Sequence, residues 1–174
     1  MSEAAVKRIL HVGCGGDTLP PWLPNIGGEE IRLDIDPASG ADIIASMTDM
    51  GEIGNFDTLY CSHALEHLYP HDVDVALREF HRVLTPGGVA VVIVPDLEDI
   101  RPTEDVVMIT PAGPITGLDM IFGYRPKLAE MPYMAHHTGF VSSTLHAAFE
   151  SVGFSKTITK RLHAFNLMAV AVKE

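Results

Sequence analysis

Three glycines and an acid carry the first chemical signal in this 174-residue chain. Gly13, Gly15 and Gly16 break the apolar run Ile9-Leu10-His11-Val12, and Asp34 ends the next apolar run. An apolar strand that runs into glycines makes a tight loop where backbone comes very close to a ligand, because side chains there would obstruct it. A carboxylate at a strand end about twenty residues further on is placed to meet the hydroxyls of a ribose. Together they point to a nucleoside-containing cofactor held across the carboxyl ends of two adjacent parallel strands. Glycines alone are weak evidence, since a plain tight turn would also use them. The nicotinamide fingerprint fails at its third glycine, where Thr18 stands, and no P-loop lysine follows.

Other residues carry weaker signals. His63-Ala64-Leu65-Glu66-His67 has the spacing of an inverted zinc-protease motif. Such a site needs a long helix and a further ligand from a neighbouring one, whereas this stretch follows a strand at once and meets Pro70. No metal site is therefore expected, and His67 reads as a hydrogen-bonded structural histidine. His136 precedes the last helix; a histidine titrating near neutrality could deprotonate an acceptor hydroxyl there, or simply staple a loop. Asp96, after the fifth strand, reads as a substrate contact or a loop cap. Arg125 suits an anionic group in an acceptor pocket that Tyr133 would help to line.

The positioning elements follow from periodicity. Strand signals fall at Ile9–Val12, Ile31–Asp34, Asp42–Ala45, Thr58–Cys61 and Val89–Val94, the last continuously apolar as a doubly covered strand should be. Apolar residues at three- and four-residue steps predict a helix from about Asp72, its expected N-cap, to Leu84, stopped by Thr85-Pro86-Gly87-Gly88. A second helix fits 143–152, capped by Ser142. Pro20, Pro21 and Pro24 exclude a full helix in the first crossover, leaving a loop capped by Trp22. Residues 97–139 lack a sustained period and read as a lid or substrate insertion, with a short helix within 115–130. Two closing strand signals, 155–161 and 165–172, are joined so tightly that they must be antiparallel. The pattern is that of one α/β domain spanning 1–174.

Composition narrows the partners. Acids outnumber bases 23 to 12, for a formal net charge of −11, with no basic cluster, so nucleic acid is not an expected substrate. Cys14 and Cys61 sit in apolar runs and read as reduced thiols. The first residues show no apolar leader, and no run reaches the ~20 residues of a membrane span. The expected location is cytoplasmic. The oligomeric state stays open, with a homodimer as one option.

Taken in order, Val12-Gly13-Cys14-Gly15-Gly16, Leu33-Asp34-Ile35-Asp36-Pro37, Phe56-Asp57-Thr58-Leu59-Tyr60, Leu65-Glu66-His67-Leu68 and Arg82-Val83-Leu84-Thr85-Pro86-Gly87-Gly88 resemble a class I S-adenosylmethionine-dependent methyltransferase, of the small bacterial type. The resemblance covers about residues 8–96. It implies a Rossmann-like three-layer sandwich with a mostly parallel seven-stranded sheet and an antiparallel last strand. It also implies that S-adenosylmethionine lies with its methionine moiety on Gly13, Cys14 and Gly15 and its ribose on Asp34. Ile35, Ser46 and Met47 would meet the adenine, while Cys61, Ser62 and His63 would line the side where the methyl faces its acceptor. His11 and Ser46 stand where the family often has acids, and Asp17 is offered as the replacement carboxylate. The implied activity is methyl transfer to a small molecule, such as a sugar or surface-polymer precursor. The alternative is a cofactor-binding module without catalysis.

Overall fold

The computed structural model describes residues 6–174, so the stretch inspected for a leader lies largely outside the described residues. Its strands and helices are β1 (Arg8–Val12), β2 (Glu29–Asp34), β3 (Ile43–Ile44), β4 (Phe56–Ser62), α1 (Pro70–Val83), β5 (Leu84–Pro95), β6 (Val106–Thr110), β7 (Gly113–Thr116), α2 (Gly117–Phe122), α3 (Ser142–Ser151), β8 (Lys156–Leu162) and β9 (Asn166–Val172). Seven strands form one sheet in the order β3-β2-β1-β4-β5-β9-β8. All adjacent pairs from β3 to β5 are parallel, β9 is antiparallel to both its neighbours, and so β9 alone runs against the rest.

The sheet buries its two faces unequally. On one face α1 lays down Val73, Ala76, Leu77, Phe80 and Val83, and α3 adds Leu145 and Phe149, against Leu10, Val12, Leu59 and Val92. Truncating a ring such as Phe80 in so closed a core costs about 3–5 kcal/mol. On the other face Ile9, Tyr60, Val91 and Ile93 pack against Leu23 from the proline-rich loop. No helix forms between β1 and β2. Trp22 stands edge-on to Tyr60 at 6.3 Å, as the prolines require of a crossover without a helix.

Several expected boundaries move, each for a local reason. α1 starts at Pro70 with Tyr69 as N-cap, so Asp72 is not the cap; proline suits the first helical position, where its missing N–H is not needed. Thr85-Pro86-Gly87-Gly88 does not separate helix from strand, because Leu84 already pairs with Phe56 and the sequence continues as β5 across a bulge. Ser142 opens α3 instead of capping it: the Val141 N–H donates to Thr144 Oγ1, and Ser142 Oγ is bonded to Thr159 Oγ1 at 2.8 Å. Residues 97–139 contain the expected short helix, α2, together with a β6–β7 hairpin not foreseen from the sequence. The segment is pinched at its base, where the Leu97 N–H donates to the Phe140 carbonyl at 3.0 Å. Among the described residues no helix is long and apolar enough to cross a membrane.

Candidate active site

The bend after β1 is built by hydrogen bonds to β2. The Gly13 and Cys14 N–H groups both donate to the Leu33 carbonyl, at 2.8 and 3.3 Å. Gly13 has φ +63°, and a Cβ there would stand 2.6 Å from Ala64 Cβ, so only glycine fits. Gly15, at φ +45°, faces open space. Its N–H donates to Asp34 Oδ2 at 2.8 Å, while the Asp36 N–H donates to Asp34 Oδ1 at 2.9 Å. A carboxylate has about four acceptor directions, so Asp34 retains capacity for two ligand hydroxyls. Arg32 braces the bend from β2: Nη1 donates to the Asp17 carbonyl and Nη2 to the Gly15 carbonyl, both at 2.8 Å. Sequence reasoning missed this arginine, whose only local sign is a cation within a strand that ends at the candidate acid. His11, which stands where the resembled family often has an acid, is buried and bonded through Nδ1 to Glu30 Oε1 at 2.9 Å.

These groups open on a cavity of about 690 Å³, within the usual size of a small-molecule site. Its wall brings together Gly13, Cys14, Gly15, Asp17, Asp34, Ile35, Ser46, Met47, Ser62, His63 and Tyr133, as expected. Tyr69 and His137, stacked at 4.3 Å, and Met131 and Met134 from the insertion complete it and were not anticipated. Burial pushes the Cys14 thiol pKa up, so it serves as a neutral wall.

Four expected site residues lie elsewhere. Cys61 is buried in the sheet between Val12 and Val92, its thiol pKa raised strongly by burial. Asp96, 2% exposed, accepts from Arg161 Nε at 2.5 Å and from the Glu98 N–H, and so ties β5 to β8. Arg125 is spent on Glu104 at 2.7 Å and Asp119 at 2.9 Å, which leaves no free fork for an anionic substrate. Burial alone would raise the pKa of Asp119, but hydrogen bonds from Thr116 and Arg125 outweigh it and hold the carboxyl at about 2. His136 is absent from the cavity wall; its Nδ1 bonds the Met120 carbonyl at 3.0 Å.

The turn after β4 gathers the remaining titratable groups. His63 adopts φ +51° and its N–H donates to the Ile93 carbonyl, which aims its half-exposed ring at the cavity. Strain of this kind in a non-glycine residue is concentrated at functional sites. Burial works against protonation of His63, but Glu66, whose Oε1 is 3.5 Å from Nδ1, holds its pKa above the ordinary value. Leu65–His67 forms a single 3₁₀ turn, so the long helix of a zinc protease is not present there. Glu66 itself is 1% exposed. His67 and His136 approach it, their ring centres 5.1 Å apart.

Comparison with known proteins places this arrangement. Residues 10–92 match the family model of the methyltransferase domain. A ubiquinone biosynthesis O-methyltransferase from Xanthomonas euvesicatoria is 30% identical over 102 residues, 49% of this chain and 42% of its own length. The chain thus matches less than half of that relative. A solved SAM-dependent methyltransferase from Archaeoglobus fulgidus superposes with a TM-score of 0.62 at 14% identity, over 97% of this chain and 86% of its own. The structure described as PigF with SAH gives 0.62 at 14% identity, over 97% of this chain and 51% of its own. Residues 10–92 are thus similar to a methyltransferase domain, and the chain shares the fold of solved methyltransferases. Both of these solved neighbours are named for SAM or SAH, and the residues lining the cavity here fit a ligand of that kind. The cleft offers a bare Gly15 beside a carboxylate with spare acceptor directions, and apolar Ile35 and Met47 for a flat base.

Proposed function

We propose that this domain transfers the methyl group of S-adenosylmethionine to an oxygen of a small acceptor. The pairing of Asp34 with the Gly15 N–H at the mouth of an open cavity is the observation that carries the reading. Asp34 accepts from the ribose hydroxyls; backbone of Gly13–Gly15 holds the methionine end; Ile35, Ser46 and Met47 enclose the adenine. When bound, the cofactor supplies an electrophilic methyl on a sulfonium. Ser62 and His63 face that end, and His63 takes the proton of the acceptor hydroxyl. Catalysis by such a site rests chiefly on alignment and on exclusion of water, here by Met131, Tyr133 and Met134 of the insertion, which acts as the lid.

The acceptor end is aromatic and thioether in character, with Tyr69, Tyr133, Met134 and His137. Flat apolar walls favour a hydroxylated ring over the sugar precursor expected from the sequence, and the relatives named for ubiquinone biosynthesis O-methylation agree with an oxygen acceptor. The test is release of S-adenosylhomocysteine with a panel of phenolic acceptors and a panel of nucleotide sugars. Turnover of phenols supports the reading, and turnover of sugars alone redirects it. Tight cofactor binding with no turnover in either panel would favour the non-catalytic binding module. His63→Ala is expected to lower kcat about 10²–10⁴-fold.

A further inference from the structure

We propose that Glu66, His67 and His136 bind a divalent first-row transition cation at the acceptor end of the cavity. Among the described residues, neither Glu66 carboxylate oxygen accepts a hydrogen bond, although the side chain is almost wholly buried; its one nearby cationic group is the half-exposed His63 ring, Nδ1 3.5 Å from Oε1. Buried carboxylates are as a rule paired, hydrogen-bonded or bound to metal, because desolvating the charge is otherwise very costly. The fold nevertheless takes trouble to keep Glu66 in place. Its backbone carbonyl accepts from the His137 and Thr138 N–H groups at 2.9 and 3.1 Å, and Thr138 Oγ1 donates to the Leu68 carbonyl at 2.6 Å. These bonds clip the end of the insertion onto the turn after β4 and bring His136 alongside.

Both imidazoles are held in one tautomer. His67 Nδ1 is 3.1 Å from the Ala135 carbonyl, and His136 Nδ1 is 3.0 Å from the Met120 carbonyl. A carbonyl only accepts, so each Nδ1 carries the proton and each Nε2 keeps its lone pair. Backbone carbonyls orient metal-bound histidines in this way. One ligand atom from each of the three residues lies within 4.8 Å of the other two, close enough to close on an ion by modest side-chain rotation. Two imidazoles and one carboxylate suit zinc, manganese, iron or cobalt, and three protein ligands leave coordination positions open.

Of the three, only His67 lines the cavity, beside His63, so an ion held there reaches the acceptor from the His67 side. The catalytic use of the ion rests on the methyltransferase reading; the binding does not. A hydroxyl oxygen coordinated there loses its proton more readily. The proton passes to His63, and the oxygen lone pair attacks the methyl carbon as the carbon–sulfur bond breaks.

The whole chain, stripped of metal, would be titrated with Zn²⁺ by calorimetry and with Co²⁺ by visible absorption, without cofactor or acceptor. Expected are one ion per chain, ligand-field bands with Co²⁺, and binding weakened more than ~100-fold in Glu66→Gln and His136→Ala. His146→Gln, on the exposed face of α3, should bind like the parent. Glu66→Gln is close to isosteric, and its melting curve checks that it folds. Failure of the parent to take up either ion, or undiminished binding by both variants, overturns the site. Metal uptake without turnover on any acceptor leaves the site standing and counts against the methyltransferase reading; turnover without uptake does the reverse.

Discussion

Arg32 is the least obvious support of the glycine bend, and removing its charge is a direct trial of how that bend is held. Arg32→Met keeps most of the aliphatic stem and deletes both bonds to the Gly15 and Asp17 carbonyls. A hydrogen bond to a charged donor contributes about 1.5–3 kcal/mol net. The side chain is 23% exposed, so water can reach the freed carbonyls, and the expected loss of stability is about 1–2 kcal/mol in all. For a chain of this size that is a fall in Tm of roughly 3–6 °C. The same carbonyls belong to the loop that meets the methionine end of the cofactor. S-adenosylhomocysteine affinity should therefore fall roughly 5–30-fold, the factor that the same free energy gives. Thermal melts and calorimetry on one preparation measure both. An unchanged Tm with unchanged affinity would refute the bracing role; a lower Tm with full affinity would show that the brace serves the fold alone.

Three further outcomes follow from the same geometry. Gly13→Ala forces a left-handed alanine against Ala64 and should cost about 3 kcal/mol. Gly16→Ala, with nothing near its new Cβ, should change stability by less than about 0.5 kcal/mol in the same melts. Asp119 is held at about 2 instead of its ordinary 3.8, so it contributes stability above pH ~4 that is lost as pH falls through about 2. The gap corresponds to about 2 kcal/mol. Asp119→Asn should remove that acid-side loss, and an unchanged acid transition would contradict it.

Much of the sheet was legible because its signals are local. The run from Val89 to Val94 is too apolar for anything but a covered strand, three prolines exclude the first crossover helix, and the tight turn near His163 forces β8 and β9 to be antiparallel. The β6–β7 hairpin was not legible: a bulge between Val106 and Met108 breaks its alternation. In the site, Gly15 and Asp34 were readable from type and spacing. For Asp96 the loop-cap alternative holds through the Glu98 N–H, but its partner Arg161, like Glu104 and Asp119 for Arg125, was not legible because a charge in sequence shows no partner from another element. The zinc-like motif was dismissed for want of a helix, yet the turn and the insertion bring His136 to Glu66 by a different route.

The central claim is that one carboxylate and one bare backbone bend grip a sulfonium nucleoside. Calorimetric titration of the parent and of Asp34→Ala with S-adenosylhomocysteine tests it most directly. Loss of two charge-assisted hydrogen bonds, at about 1.5–3 kcal/mol each, predicts saturable binding by the parent and about 10²–10⁴-fold weaker binding by the variant. A parent that binds no S-adenosylhomocysteine, or a variant that binds it as tightly, would contradict the account.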